Sequence, residues 1–176
     1  MARRHDEPDS PRGLMLAAIP RLRRFAMALT GNAADGDDLT QLALERGLAR
    51  LDQWQAGTQI ESWLLRIAYN AWIDETRSKK RRGGQVSLDD VANVVQSDGQ
   101  RAADSVTDLT VVREAIGELP DEFRAVLLLV VVDGLSYQQT AETLSIPIGT
   151  VMSRLARARR NLAAALEGSG DHADAS

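Results

Sequence analysis

The sequence contains no cysteine, only two histidines and few aromatic residues, which make up 4% of its 176 positions. Without cysteine, a disulfide framework and a zinc site built on thiolates are both excluded. No apolar run approaches the roughly 20 residues needed to span a bilayer. The segment MARRHDEPDSPRG also lacks the apolar stretch of a secretion signal, so we expect a cytoplasmic protein without membrane insertion.

The residue types that catalyse reactions or hold cofactors are sparse as well. His5 and His172 lie in polar terminal segments, the acidic residues are scattered, and no glycine-rich phosphate loop is present. We therefore expect no enzymatic activity, no metal and no cofactor. Hydrophobic residues still make up 44% of the chain, which is enough for one domain or two small ones.

Apolar residues at helical spacing dominate the first half of the sequence. They predict a first helix that ends at Gly31 and a second that is capped by Asn32 and continues to about Leu51. A polar loop follows, and then a third helix that ends in the basic run RSKKRR. Its predicted buried stripe consists of Ile60, Trp63, Leu64, Ile67, Ala68 and Ala71.

The second half predicts four further helices. One covers Leu109 to Leu119, and Pro120 opens another that contains the run LLLVVV. Acidic residues at its start and Gly134 at its end favour a buried helix over a strand. Ser136 and Gln139 then form a capping box for a short helix. Pro147 ends the following turn, and the last helix has a buried stripe of Val151, Leu155, Ala158 and Leu162.

These patterns predict an all-α protein with two small helical domains, residues 13–82 and 107–167. The segment 83–106 contains glycine, serine and aspartate without a sustained period, which indicates a flexible linker. Residues 1–12 and 168–176 are predicted to be disordered terminal segments.

The last two helices have the order of a helix-turn-helix, and the second of them is predicted to contact DNA. An α-helix fits the major groove, where arginine can bond two acceptors of guanine and hydroxyl groups can bond bases or phosphates. The alternative is that RLARARR is only a solvated helical face. The side chains predicted to face DNA are Thr150, Ser153, Arg154, Arg157 and Arg160.

Only two segments carry a net positive charge, although the net charge of the whole chain is −4. Residues 61–82 and residues 123–166 each sum to +3. The remaining parts are neutral or acidic. These two segments are therefore the candidate surfaces for contact with phosphates.

Four segments together resemble the extracytoplasmic-function (ECF) class of bacterial sigma factors, over about residues 14–166. They are LTGNAADGDDLTQLAL, WLLRIAYNAWIDETRSKKRR, LPDEFRAVLLL and GLSYQQTAETLSIPIGTVMSRLARARRNL. The resemblance implies a first domain that binds core RNA polymerase and opens the promoter minus-ten element, and a second domain that recognises the minus-thirty-five element. It also implies an anti-sigma factor as a partner, and regulation of a stress or envelope-response regulon.

The resemblance assigns a polymerase contact to the second helix. It implies that Asp38, Gln41 and Glu45 contact the clamp helices of the largest polymerase subunit. The alternative is that they form only the polar face of an amphipathic helix. Leu42 stands where the family frequently has an acidic residue, and this departure puts Glu45 most in doubt.

The resemblance also places capture of an unpaired minus-ten base in the loop 52–59. Trp54 belongs to this loop, and Arg66 and Asn70 line its approach. Aromatic and amide groups on a basic surface hold unpaired bases by stacking and hydrogen bonding. A collective phosphate contact is expected from Lys79, Lys80 and Arg81, for which a solvated helix end is the alternative.

Two other classes of DNA-binding protein share features with the second half. A two-domain repressor would contain a similar helix-turn-helix but would not need the WLLRIAYNAWID helix with its basic end. A response regulator would need an α/β receiver domain, and the first half predicts no strands. The sigma-factor interpretation accounts for both halves.

Overall fold

The fold is all-α, as the apolar spacing predicts. In the computed structural model, the described residues are 10–81 and 103–170, and within them the backbone forms seven α-helices and no β-strand. None of the helices within these two ranges is long and apolar enough to cross a membrane. The chain divides into two compact units: Met1–Met27 with Asn32–Asn93, and Ala28–Gly31 with Val94–Ser176.

The first half contains three helices: α1 (Pro11–Thr30), α2 (Ala33–Ala49) and α3 (Ile60–Arg81). Gly31 follows α1 with a φ of +83°, a left-handed conformation that costs little only without a side chain. Asn32 caps α2 as predicted, because its side-chain oxygen accepts a hydrogen bond from the backbone N–H of Asp35 at 2.8 Å.

Buried side chains of α3 form a large part of the core of the first domain, and buried residues of α1 and α2 supply the rest. Of its predicted stripe, every residue is buried except Trp63, which is half-buried. Burial on α3 is wider than one stripe, because Leu65, Tyr69 and Trp72 are buried as well. The rings of Tyr69 and Trp72 lie 6.3 Å apart at a tilt of 43°. Trp72 lies off the stripe predicted from the spacing of apolar residues, so its burial did not follow from that spacing.

Two glycines of α2 lie where it packs on its neighbours. A Cβ atom at Gly36 would lie 2.7 Å from Met27 Cα and 2.9 Å from Met27 N, so it would collide with the backbone of α1. At Gly47 the nearest atoms would be Leu64 Cδ2 at 2.8 Å and Met15 Cε at 3.2 Å, which are ends of flexible side chains. The close contact of α1 with α2 therefore depends on glycine at position 36 more than at position 47.

An exposed ion pair also joins α1 to α2. Arg23 Nε lies 2.5 Å from Asp37 Oδ1, and Arg23 Nη2 lies 3.1 Å from Asp37 Oδ2, which makes the contact bidentate. The hydrogen bond from the Arg23 guanidinium lowers the pKa of the Asp37 carboxyl below its ordinary value. Reciprocally, Asp37 raises the pKa of Arg23.

The second half contains α4 (Ala103–Gly117), α5 (Asp121–Leu127), α6 (Tyr137–Leu144) and α7 (Ile148–Gly170). Of these helices, α4 begins inside the segment predicted as linker, and α7 extends beyond residue 167. At the other end of the chain, α1 begins inside the segment 1–12. The rest of the predicted linker and of the terminal segments lies outside the described residues.

The run LLLVVV departs from the predicted buried helix. Leu127, Leu128 and Leu129 are buried, whereas Val131 and Val132 are each 57% exposed. A π-helical turn, Leu128–Val132, follows α5 directly, and the N–H of Asp133 bonds the Leu128 carbonyl five residues back at 2.9 Å. The wider turn changes the helical register, so the two valines point away from the core.

The helix-turn-helix is built by the local signals that the sequence predicts. Ser136 and Gln139 form the capping box of α6, with Gln139 N to Ser136 Oγ at 3.1 Å and Ser136 N to Gln139 Oε1 at 2.9 Å. Ser145 ends α6 in the left-handed conformation, at a φ of 55°. The Pro147 carbonyl then accepts the Thr150 N–H at 2.9 Å in the first turn of α7.

A half-buried arginine holds the connection between α4 and α5. The Arg124 guanidinium donates to the carbonyls of Ile116 at 3.1 Å, Leu119 at 3.0 Å and Gly117. These carbonyls lie at or just beyond the end of α4, where helical partners are missing. Burial lowers the pKa of Arg124 from its ordinary value, although the guanidinium remains charged at neutral pH. No pattern in the sequence predicts these contacts of Arg124.

We predict that Gly36→Ala destabilises the first domain by about 1–3 kcal/mol, because the added Cβ collides with backbone that cannot move independently. All three tryptophans lie in α3 or the loop before it, so tryptophan fluorescence during urea unfolding follows this domain. Gly47→Ala is the matched variant and should cost less. Equal midpoints for the two variants would contradict the close contact at Gly36.

We also predict that Arg23→Gln raises the titration midpoint of the Asp37 carboxyl, measured by carbon NMR. Because the pKa of Asp37 is lowered in the folded state, the pair stabilises the fold above the ordinary aspartate pKa and loses this effect as the pH falls through the lowered value. Arg24→Gln removes the neighbouring exposed guanidinium and serves as the control. An equal effect of both variants would rule out the specific pair.

Candidate nucleic-acid and polymerase interfaces

One side of α7 is buried and the other presents arginines to solvent. Val151, Leu155 and Ala158 are buried as predicted, while Leu162 is half-buried. The side chains of Ser153, Arg157, Arg159 and Arg160 are exposed, and Thr150 is half-buried. The three arginines have no side-chain partner among the described residues. This side of α7 can therefore donate hydrogen bonds to an anionic or acceptor-rich ligand.

Arg154 differs from the other arginines of α7. Its Nη2 lies 2.7 Å from Oε2 of Glu122, in the first turn of α5, and its side chain is only 22% exposed. The sequence placed Arg154 among the freely exposed groups. The position of a partner on another helix depends on how α5 and α7 pack, which the spacing within α7 does not reveal.

A second basic face lies along α3. Arg66 and Asn70 are both exposed and lie four residues apart, so they share a side of the helix. Arg77 and Arg81 are exposed on the same side, at further steps of seven and four. Sequence interpretation missed Arg77, although the same helical spacing would have identified it.

One of the basic side chains at the end of α3 is already engaged in an ion pair. Lys79 is exposed but its Nζ lies 3.0 Å from Glu75 Oε1, an ion pair one turn back along the helix. Lys80 lies on α3, and its side chain is outside the described part of the chain. An exposed pair of this kind is easily exchanged for a phosphate contact, because it contributes little by itself.

Trp54 lies in the loop before α3, and its placement limits what it can donate. It is half-buried, and its backbone N–H bonds the Leu51 carbonyl at 3.3 Å. Its indole Nε1 is buried and has no hydrogen-bond partner within the described residues. The indole N–H of Trp54 is therefore not exposed to donate a hydrogen bond to a ligand in this conformation.

A groove of about 370 Å³ lies between α1 and α2. Gln41 and Glu45 line it and bond each other, Nε2 to Oε1 at 3.0 Å. Asp38 is exposed but does not line the groove, whereas Asp37 does. The sequence interpretation identified the polar rim and missed the apolar floor, which consists of Met15, Leu16, Ile19, Leu44 and Leu48.

The parts of the chain that the structure describes contain no group of three or more histidine, cysteine, aspartate or glutamate residues suited to a metal ion. The surfaces offer instead arginine and amide donors on α3 and α7 and an apolar groove between α1 and α2. Such groups bind other macromolecules through charge, hydrogen bonds and apolar contact.

Comparison with known proteins identifies the family. A profile for Sigma-70, region 4, matches residues 109–162, and one for the Sigma2 domain of PhyR matches residues 15–68. The ECF RNA polymerase sigma factor EcfG of Rhodopseudomonas palustris (strain TIE-1) is 36% identical over 158 residues, which is 90% of this chain and 86% of that protein. SigW of Bacillus subtilis (strain 168), also an ECF sigma factor, is 31% identical and aligns over 81% of each chain.

A solved structure has the same fold over most of its length. The sigma factor RpoE of Bartonella quintana, determined in complex with the anti-sigma factor NepR, superimposes with a TM-score of 0.71 at 27% identity. The superposition covers 87% of this chain and 94% of that one. Family profiles, relatives and fold agree, and the chain belongs to the ECF class of RNA polymerase sigma factors, which direct the polymerase to promoters.

Proposed function

We propose that the two basic helical faces divide promoter recognition between them, α7 binding the minus-thirty-five element and α3 the minus-ten element. The observation that carries this proposal is the capped helix-turn-helix, whose second helix is buried on one side and presents Ser153, Arg157 and Arg160 on the other. A helix of this kind inserts its N-terminal half into the major groove.

Within α7 we propose two kinds of contact. Arg154 and Arg157 recognise guanine, while Thr150 and Ser153 bond bases or phosphates near the start of the helix. Arg159 and Arg160 lie farther along and bind phosphates without distinguishing sequence. Loss of a base contact weakens binding at one promoter position, whereas loss of a phosphate contact weakens binding to all sequences alike.

On the first domain we propose that α3 and the preceding loop hold the opened minus-ten strand. Arg66, Asn70, Arg77 and Arg81 share one exposed side of α3 and can follow a phosphate backbone. Lys79 and Lys80 add positive charge at the same helix end. Trp54 stacks its ring on an unpaired base, and its buried indole nitrogen makes no hydrogen bond to that base.

For core polymerase we propose the face of α2 that includes Asp38, Gln41 and Glu45, together with the adjoining groove. The groove supplies apolar area, and Gln41 and Glu45 at its rim supply polar groups for hydrogen bonds to a partner. Leu48 is 51% exposed in this groove although it is a large apolar residue. Covering Leu48 in a complex is favourable because its apolar surface is removed from water.

Regulation by an anti-sigma factor is proposed by similarity, since the RpoE of Bartonella quintana was solved with NepR bound. We propose that the protein acts in the cytoplasm, where polymerase and promoter DNA are found, and serves a stress or envelope-response regulon. It acts by binding and positioning, without a reaction of its own. Tight, sequence-specific DNA binding in the absence of polymerase would instead favour a repressor.

We predict that the protein gives promoter-specific run-off transcription with core polymerase and that Leu48→Glu weakens core binding about tenfold or more. A carboxylate in the apolar groove must lose its hydration without a partner. Ala49→Glu adds the same charge at the next, exposed residue, which does not line the groove, and should bind normally. Equal binding by both variants, measured by fluorescence anisotropy, would exclude the groove from the polymerase interface.

We predict that Asn70→Ala and Trp54→Ala lower open-complex formation more than closed-complex binding. Permanganate reactivity of minus-ten thymines measures the open complex. Trp54→Phe keeps an aromatic ring but removes the indole N–H. It should keep the permanganate reactivity, because the buried N–H is not expected to contact the base. Asn161→Ala removes an exposed amide from α7 and is the control. Unchanged reactivity in both alanine variants would refute base capture by this loop.

A further inference from the structure

The Arg154–Glu122 contact connects the proposed recognition helix to the first turn of α5. Arg154 Nη2 and Glu122 Oε2 lie 2.7 Å apart, and the two residues are separated by 32 positions in sequence. Glu122 is 50% exposed, so the pair is partly screened by water. Such a pair contributes little to folding stability. Its larger effect is on where the guanidinium points and what it can bind.

The pair leaves most of the guanidinium donors available. Only Nη2 of Arg154 bonds a protein atom among the described residues, and the group carries five N–H donors in a rigid plane. Nη1 and the second hydrogen of Nη2 can therefore still form a two-point contact with one guanine. Fixing one edge of the plane reduces the conformational freedom lost when that contact forms.

The same carboxylate makes Arg154 a poor ligand for phosphate. Guanine offers neutral acceptors, which a neighbouring carboxylate does not repel, whereas a phosphate carries a full negative charge. Arg157, Arg159 and Arg160 have no acidic partner within the described residues and keep their attraction for phosphate. Glu122 thus disfavours phosphate at Arg154, an electrostatic effect that Arg157 does not share although it too is proposed to contact guanine.

We infer that Glu122 is a specificity-determining residue that acts through Arg154, orienting its guanidinium toward a guanine and reducing its attraction for phosphate. Glu122 is a positioning residue, since it need not contact DNA itself. The inference rests on the proposed base contact of Arg154. It assigns part of the sequence preference to a helix that precedes the helix-turn-helix.

The test uses holoenzyme transcribing from a library with a randomised minus-thirty-five element. Arg154→Ala should lose preference about fivefold or more at one position. Glu122→Gln should lose preference at the same position, by about threefold to tenfold, and the double variant should lose no more than Arg154→Ala. Glu118→Gln removes an exposed carboxylate of the same domain that has no ion-pair partner among the described residues, and should match wild type.

A second measurement separates positioning from simple stabilisation. Free Glu122→Gln protein should bind non-specific duplex DNA more tightly than wild type, with a salt dependence steeper by about one phosphate contact. This gain should vanish when Arg154→Ala is added. If the pair only stabilised the fold, Glu122→Gln would lower the melting temperature and would change neither the library profile nor the salt dependence.

Several results would overturn the inference. They are a Glu122→Gln profile parallel to wild type, losses at positions other than that of Arg154, and a gain in non-specific binding that persists without Arg154. A flat Arg154→Ala profile would remove its premise as well. If Arg157→Ala still lost preference at one position in that case, promoter recognition by α7 would stand while the role of Glu122 failed.

Discussion

Burial of one side of α7 is the constraint on which the second domain depends. Val151, Leu155 and Ala158 are almost fully removed from water, and this fixes the rotation of the helix about its own axis. Rotation by one residue would bury an arginine and expose a leucine, which is costly on both counts. Apolar packing therefore sets the direction in which each exposed side chain leaves α7. Polar contacts such as Arg154–Glu122 then change only the orientation of the side-chain end.

In the first domain α3 is likewise divided into a buried face, which packs in the core, and an exposed face, which carries polar and basic side chains. The inward face of α3 is unusually wide, since Tyr69 and Trp72 join the stripe that begins at Ile60. This leaves a narrow outward strip for the donors that start at Arg66. In α2, Gly36 and Gly47 let neighbouring helices approach closely, while Asp38, Gln41 and Glu45 stay exposed. The proposed ligand-binding groups thus lie on helices whose opposite faces are closely packed against the rest of the domain.

The sequence predicted those features that depend on residues close together in the chain. The cap at Asn32, the capping box at Ser136 and the turn at Ser145 all arise within three or four residues, and each was confirmed. Contacts between helices were not predictable in the same way. The pairing of Arg154 with Glu122 depends on the packing of two helices, and the buried nitrogen of Trp54 depends on how its loop folds back. The exposure of Val131 was missed because periodicity assumes a uniform α-helical turn.

The π-helical turn after α5 has a consequence for sequence change during evolution. A turn of this kind is what an α-helix becomes when it accommodates one additional residue without unfolding. Loss of one residue from Leu128–Val132 would return the segment to ordinary α-helical bonding, and the helix-turn-helix would keep its direction because the wider turn had absorbed the additional residue. Insertion of a further residue without a second wide turn would instead rotate everything after it by about 100° relative to α5. A single deletion is therefore expected to be tolerated here better than a single insertion.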